Sequence, residues 1–512
     1  MSSLALIQSP ASQACVWKYT NFQELTTMIP IPNPEDYDVS LRNGFLSDSP
    51  PLESLPDEYY SPWEYVIKNL QGLILSKRLH EAIDRMPVLS TDGLVTEPEW
   101  RRAYSILGFM THAYVWGGDK PKEWVPPPIS VPFANICAHL ELPMVATYAG
   151  LCLWNWKPIS DTESVDTLTN LDMIDTFTGS LDEKWFYLVS VAIEARGAAM
   201  VPLMLDSIQA ARQGNRSIVT ESLRTFAERL DQLGAMLAQM SDNCDPHVFY
   251  HRIRPYLAGS KNMKDAGLPQ GIVFDNGGPM NKQRHVQYSG GSNAQSSLLQ
   301  FFDAVLGVEH RPTGQRQADT AEKKKSSEYA PQTSFIHEMR QYMPGPHARF
   351  LRDVTKVACI RDFVATHSWD RALTLAFDAC LAMLSSFRDV HLQLVSRYIV
   401  IKSHQAKAQQ ATNGDGMSRK VNLATRPKEA KQMTEEEKKA ALRGTGGTSL
   451  MPFLRQARDE TAEPAVNEWT QRYLHKGRRG AATTIKVSPV EECQGLAAVW
   501  RVDNCDGGLC LI

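Results

Sequence analysis

The stretch Ala372 to His404, ALTLAFDACLAMLSSFRDVHLQLVSRYIVIKSH, constrains the fold more than any other part of the chain. Counting back from His391 by four, seven and eleven residues reaches Phe387, Leu384 and Cys380; counting forward by three, four and seven reaches Leu394, Val395 and Tyr398. These offsets share one face of a helix, so the segment must bury a broad apolar stripe against other helices. His391 is the one strongly coordinating side chain inside that stripe. On residue type alone, a histidine there is more often a satisfied core residue than a ligand. The same surroundings also suit an axial haem ligand, because neutral imidazole binds iron and an apolar wall excludes water.

The rest of the chain reads as mainly helical, with no convincing period-two alternation over several strands. Its 512 residues exceed what one core usually holds, so two domains plus tails are expected. Residues 1–55, rich in Pro, Ser and Asp, suit an extended arm; 56–170 form a small helical unit, and a polar linker runs from Ile159 to Asp182. A larger unit follows at 171–475, with charged surface insertions at 310–333 and 403–443, and then a tail at 476–512. Pro202 is expected to interrupt the apolar helix Trp185 to Leu205, and Pro255 to turn or kink the chain at Arg254.

Several function classes are excluded. A net charge of -3 argues against a nucleic-acid-binding surface. The nine cysteines are scattered without CxxC pairs, which does not read as a disulfide framework and points to a reducing, cytoplasmic setting. No signal peptide or membrane span is expected, since even Leu188 to Leu205 carries Glu194 and Arg196. HExxH, CxxCH, GxxxxGK[ST] and GxSxG are all absent.

What remains is a set of local combinations. Arg388, one turn before His391, could pair with a haem propionate or could simply be a surface arginine. Phe249 and Tyr250 precede Arg254, an arrangement that could clamp a substrate bearing an aromatic ring and a carboxylate, although aromatics at helical spacing are usually core. Two glycine-rich loops, Ser289 to Ser297 and Gly444 to Thr448, flank apolar helices.

Taken together, FDACLAMLSSFRDVHLQLVSRYIVI, GGSNAQSSLLQFFDAVLGV, MRQYMPGPHARFL and GTGGTSLMPFL closely resemble the indoleamine 2,3-dioxygenase family. SPWEYVIKNL, AYVWGG, LELPMVATYAGLCLWNW and WFYLVSVAIEA extend the resemblance into the N-terminal half, and the insertions are similar to those of the larger fungal members. The resemblance implies an all-α enzyme with a small N-terminal and a large C-terminal domain and haem b between them. It implies insertion of both atoms of O2 across the indole C2–C3 bond of L-tryptophan or a related indoleamine, giving N-formylkynurenine, the first step of the kynurenine pathway. An unidentified reductant keeps the iron ferrous, and a monomer is compatible with the family.

By position, His391 matches the iron ligand, Arg388 an arginine near a propionate, and Asp303 an acid in the proximal network. Ser292 and Asn293 match the loop bordering the haem. Arg254 matches the substrate-carboxylate partner, Phe249 and Tyr250 flank the indole, Tyr148 and Ser190 belong to the distal pocket, and Thr445 to a loop closing over substrate. No side-chain general base is expected. Tyr250, Asn293 and Pro255 depart from the animal pattern of phenylalanine, alanine and an aliphatic residue. A haem-binding sensor with little turnover and a purely structural helical scaffold are the competing classes.

Overall fold

The computed structural model describes residues 29–279, 282–315, 334–406, 444–445 and 449–467, and the backbone at 491–495 and 498–502. The chain is mostly helical, as the periodicity predicts. In order, the principal helices are α1 (Ser61–Lys68), α2 (Leu70–Leu75), α3 (Leu79–Asp84), α4 (Glu97–Trp116) and α5 (Pro127–Leu140). They are followed by α6 (Leu181–Gly197), α7 (Met200–Arg212), α8 (Arg216–Ala238), α9 (Ser297–Leu306), α10 (Gly345–Val357), α11 (Ile360–Thr366), α12 (Arg371–Val395) and α13 (Leu450–Thr461).

Sequence chemistry explains where these helices start. Thr96 and Glu99 form a reciprocal capping box at α4. Ser180 caps α6, Ser296 caps α9, and the Asp370 carboxylate accepts from the Ala372 and Leu373 amides at the head of α12. α12 packs chiefly along α8. Leu373, Phe377, Leu381 and Leu384 are fully or almost fully buried, each contributing roughly 1.5–3 kcal/mol of apolar burial.

Strand content is small. β1 (Trp124–Val125) runs parallel to β4 (Ile272–Phe274), which pairs antiparallel with β5 (His285–Val286). β2 (Trp156–Pro158) pairs antiparallel with β3 (Leu171–Met173), Trp156 opposite Met173. A hairpin joins Glu491–Gly495 to Ala498–Val502; the rest of the 476–512 tail lies outside the described residues.

Several expectations need correction. The described part of the supposed arm is packed: Val39, Phe45, Leu46 and Leu55 are buried, and Phe45 meets Phe350 of α10 at 5.9 Å. The supposed linker Ile159–Asp182 holds β3 and two structural anchors. Asp175 pairs with the buried Arg102, which also binds Glu64 of α1, and Phe177 stacks on Tyr256 at 4.9 Å. Buried side chains on both sides of this stretch, from Val39 to Ala465, belong to one connected apolar cluster.

The apolar stretch Leu181–Arg212 is long and apolar enough to cross a membrane by length and composition, yet 78% of its most apolar window is buried inside the fold. Its break falls at Ala198–Ala199, before Pro202, which sits in the first turn of α7 where its missing N–H costs little. α5 begins at Pro127, with proline in its first turn where the missing N–H costs little. Residues 316–333 and 407–443 of the two insertions lie outside the described residues.

Candidate functional site

Three turns of π-helix occur among the described residues: Ala149–Leu153, Phe249–Ile253 and Ser396–Ile401. All three supply the wall of one cavity, through Leu151 and Cys152, Phe249, and Tyr398 and Ile399. Each widened turn holds an extra residue and so re-aims the side chains after it. At the second, the Arg254 amide donates to the Phe249 carbonyl, and the wider turn accommodates Pro255 without ending the helical path. The expected kink is thus a π-turn that delivers Arg254 to the cavity.

The cavity has two adjoining chambers that share Tyr148, Leu237, Asn293, Ala294, His391, Phe453 and Leu454. The first also contains Phe249, Arg254, Ser292, Gly444 and Thr445; the second contains Ser190, Asp303 and Arg388. Residues scattered over the sequence are therefore brought together as expected, with one exception. Tyr250 lines neither chamber; it is fully buried behind the first, with the Arg254 guanidinium 6.0 Å from its ring centroid. The tyrosine at this position is a packing neighbour of Arg254, and of the two aromatics only Phe249 lines the chamber. Phe249 is fixed by Phe186 at 4.8 Å and Tyr398 at 5.7 Å.

Burial, and secondarily the Arg388 charge, lower the His391 pKa to about 4. The imidazole is neutral across the physiological range and faces an apolar chamber, the state in which it can coordinate a metal. With Leu237, Leu394, Val395, Phe453 and Leu454 around it, this donor fits the single axial nitrogen that a b-type haem requires. Arg254 is 2% exposed, and burial lowers its pKa. Desolvating a guanidinium is costly, and a ligand carboxylate would offset that cost.

Arg388 does not hold a free guanidinium toward the chamber. Its Nη2 donates to both Asp303 oxygens at 2.7 Å and its Nη1 donates to Thr461 Oγ1 of α13. Three of its five N–H groups are thus committed within the protein, leaving Nε–H and one Nη1–H for a propionate. His310 lies between Asp303 (3.0 Å) and Glu460 (2.7 Å), and Arg311 binds Glu463. The first residues of the 310–333 insertion are therefore part of a buried charge network, contrary to the expected solvated surface.

Burial alone would raise Asp303, but Arg388 and His310 outweigh it and hold the carboxyl down to about 2. Burial would lower His310, yet Asp303 and Glu460 raise its pKa. Asp303 contributes stability above its unfolded value of 3.8 that is lost as pH falls through about 2. His310 contributes below 6.5, and that contribution is lost as pH rises through its raised value. Asp303→Asn should destabilise the fold by about 3 kcal/mol, the cost of orphaning a buried cation. A urea midpoint measured at pH 5 and unchanged by the substitution would contradict this.

Thr445 ties the loops over the cavity. Its hydroxyl donates to the Gly291 carbonyl at 2.8 Å, and its own carbonyl accepts from the Gly290 amide at 3.2 Å and the Gly259 amide at 3.4 Å. A side chain on Gly290 would meet the Leu257 carbonyl at 2.1 Å, so only glycine permits this approach. Gly446, Gly447 and Thr448 lie outside the described residues. Ser292 accepts from the Ala294 amide, and Asn293 stands at the edge common to both chambers.

Sequence reasoning missed Glu194, Ser296, His310 and Glu460. Glu194 carried a legible signal: it is the single acid in VSVAIEARGAAM, four residues after Ser190 and hence on the same helical face. His310 and Glu460 had none, because they meet only through tertiary packing.

Comparison with known proteins agrees with this geometry. The family model for indoleamine 2,3-dioxygenase matches residues 33–464. The chain is 38% identical over 449 residues to indoleamine 2,3-dioxygenase of Saccharomyces cerevisiae, covering 86% of this chain and 95% of that one. It is 37% identical to the 6-hydroxytryptophan 2,3-dioxygenase of Fusarium equiseti (84% and 97% covered) and 33% identical to indoleamine 2,3-dioxygenase 1 of Mus musculus (85% and 96%).

Proposed function

The chain belongs to the indoleamine 2,3-dioxygenase family, and from that premise we propose that it is a haem-dependent dioxygenase converting tryptophan, or a closely related indoleamine, to the N-formylkynurenine product. The observation that carries the reading is that a neutral, half-buried His391 and a buried Arg254 line one largely apolar cavity. His391 would hold the haem iron, and Ser292 and Asn293 would border the macrocycle. When bound, haem supplies the activation of O2 that no side chain can provide.

The protein's own residues bind, orient and shield. Arg254 pairs with the substrate carboxylate, and Phe249 with its aromatic neighbours fixes the ring plane. Orientation of this kind accounts for a large share of a bimolecular barrier. Thr445, bridging Gly291 and Gly290, holds the loop that excludes water. The indole is electron-rich, so no strong base is required, and Ser190 shapes the pocket from the second chamber. A related substrate bearing a ring hydroxyl is the second member of the same class, in keeping with the name of the Fusarium relative.

The test is a turnover assay on reduced, haem-loaded protein in air, preceded by an anaerobic tryptophan titration. Product absorbance of N-formylkynurenine is expected. Haem-loaded ferrous protein that binds tryptophan and makes none would leave a sensor in place of an enzyme.

A further inference from the structure

We propose that Glu194 is a positioning residue for this reaction, fixing the Tyr148 hydroxyl and keeping an exchangeable proton one hydrogen bond behind the chamber wall; the proposal rests on the dioxygenase reading above. Glu194 is fully buried on α6, one turn beyond Ser190. Its Oε1 accepts the Tyr148 hydroxyl at 3.0 Å and the Ser296 hydroxyl at 2.6 Å. Its Oε2 has no hydrogen-bond partner among the described residues. Tyr148 lines both chambers and Ser296 the second, while Glu194 stands behind them.

Two donors on one oxygen and none on the other is a costly arrangement for a buried anion. Burial accordingly pushes the carboxyl up to about 7, with the two hydroxyls pulling in the opposite direction. The side chain can thus pass between neutral acid and anion near neutral pH while keeping both partners.

Among the described residues the surroundings do not supply a counter-charge. The π-turn beside it and the residue that precedes it contribute Cys152 and Tyr148, both with pKa values raised chiefly by burial and further by the Glu194 charge. Across the second chamber α12 contributes Arg388, committed to Asp303, and His391, held neutral. On the outer side of α6, Arg196 is paired with Asp166 and shares a separate groove with Glu228 and Arg229 of α8. Next to β3, Lys184 is paired with Asp172, and Arg254 of the second π-turn faces the first chamber. Nothing in this inventory explains a lone carboxyl as part of an ion pair.

The ionised form grips the Tyr148 hydroxyl with a charge-assisted hydrogen bond, roughly twice as strong as a neutral one. Ring placement in the chamber wall then depends on one proton, and kcat acquires a limb near neutral pH that does not belong to the substrate. Binding through Arg254 on the opposite wall is left alone.

The experiment uses full-length, haem-loaded wild type, E194Q and Y148F. Two readouts are taken from pH 6 to 8.5: kcat and KM for tryptophan, and the infrared carbonyl stretch of a protonated carboxyl. Wild type is expected to show a kcat limb of about three- to tenfold and a carboxyl band lost as pH rises through about 7. E194Q should lose both the limb and the band, with KM within about twofold and Soret absorbance retained. Y148F should keep the band at a shifted frequency, because one of its two donors is gone. An unaltered limb and band in E194Q, or an unmoved band in Y148F, would overturn the proposal. Wild type that makes no product at any pH would instead sink the dioxygenase reading, and the infrared comparison would still decide whether Glu194 and Tyr148 are coupled. Should E194Q fail to fold, Y148F and Ser296→Ala each remove one donor and must each shift the band.

Discussion

Arg254→Ala should raise the tryptophan KM about a hundredfold while leaving Soret absorbance per protein unchanged. The magnitude follows from the environment. Arg254 is 2% exposed, so a carboxylate reaching it is desolvated as well, and truncating one partner of such a charge pair costs roughly 2–5 kcal/mol. At 1.4 kcal/mol per decade, about 3 kcal/mol from the lower half of that range is about a hundredfold. Tyr250 stacks behind the guanidinium at 6.0 Å and is kept in the variant, so the wall should persist. Arg254→Lys keeps the charge but loses the planar fork and should fall between the two. Steady-state kinetics in which KM moves less than threefold would remove Arg254 from the substrate's carboxylate.

His391→Ala should abolish stable haem binding, read as loss of the Soret band after desalting. The loss should exceed the roughly 10–100-fold that removing an outer partner of a metal ligand costs, since here the donor atom itself is gone. Folding is expected to survive. The imidazole makes no hydrogen bond among the described residues, and its pKa is already lowered to about 4, so no buried partner is orphaned. Circular dichroism of the variant should match wild type, and added imidazole should restore part of the band by filling the vacated space. A full Soret band in the variant without imidazole would move the ligand elsewhere and return His391 to the role of a core histidine.

How much of this was legible in the chain depended on distance along it. The stripe through Phe387, His391, Leu394 and Val395 is local periodicity, and it correctly placed His391 on the inner face of a long helix. Composition misled where polarity was taken for exposure: Asp175 sits in a polar stretch yet pairs with Arg102 in the core, and His310 opens a charged insertion yet is held between Asp303 and Glu460. Arg102 and Asp175 are 73 residues apart and His310 and Glu460 are 150 apart, so no window along the sequence contains either pair. Arg388 lines the second chamber, but its commitment to Thr461 depends on α13, which returns only after the second insertion. The placement of Phe249 inside and Tyr250 outside the chamber required the π-turn, which no propensity announces.

Those π-turns also determine how the site can tolerate change in chain length. A residue added to or taken from a helix rotates everything after it by about 100°. Deleting one residue within Phe249–Ile253 would restore ordinary helical phasing and shorten the chain by very little, yet it would swing Arg254 off the cavity wall. The same holds for Tyr398 and Ile399 at Ser396–Ile401, and for the residues after Ala149–Leu153. The core beneath would be largely spared. In this protein a one-residue slip at any of three places is a graver injury to the site than the removal of most individual side chains, because the phase of the backbone is itself a binding determinant.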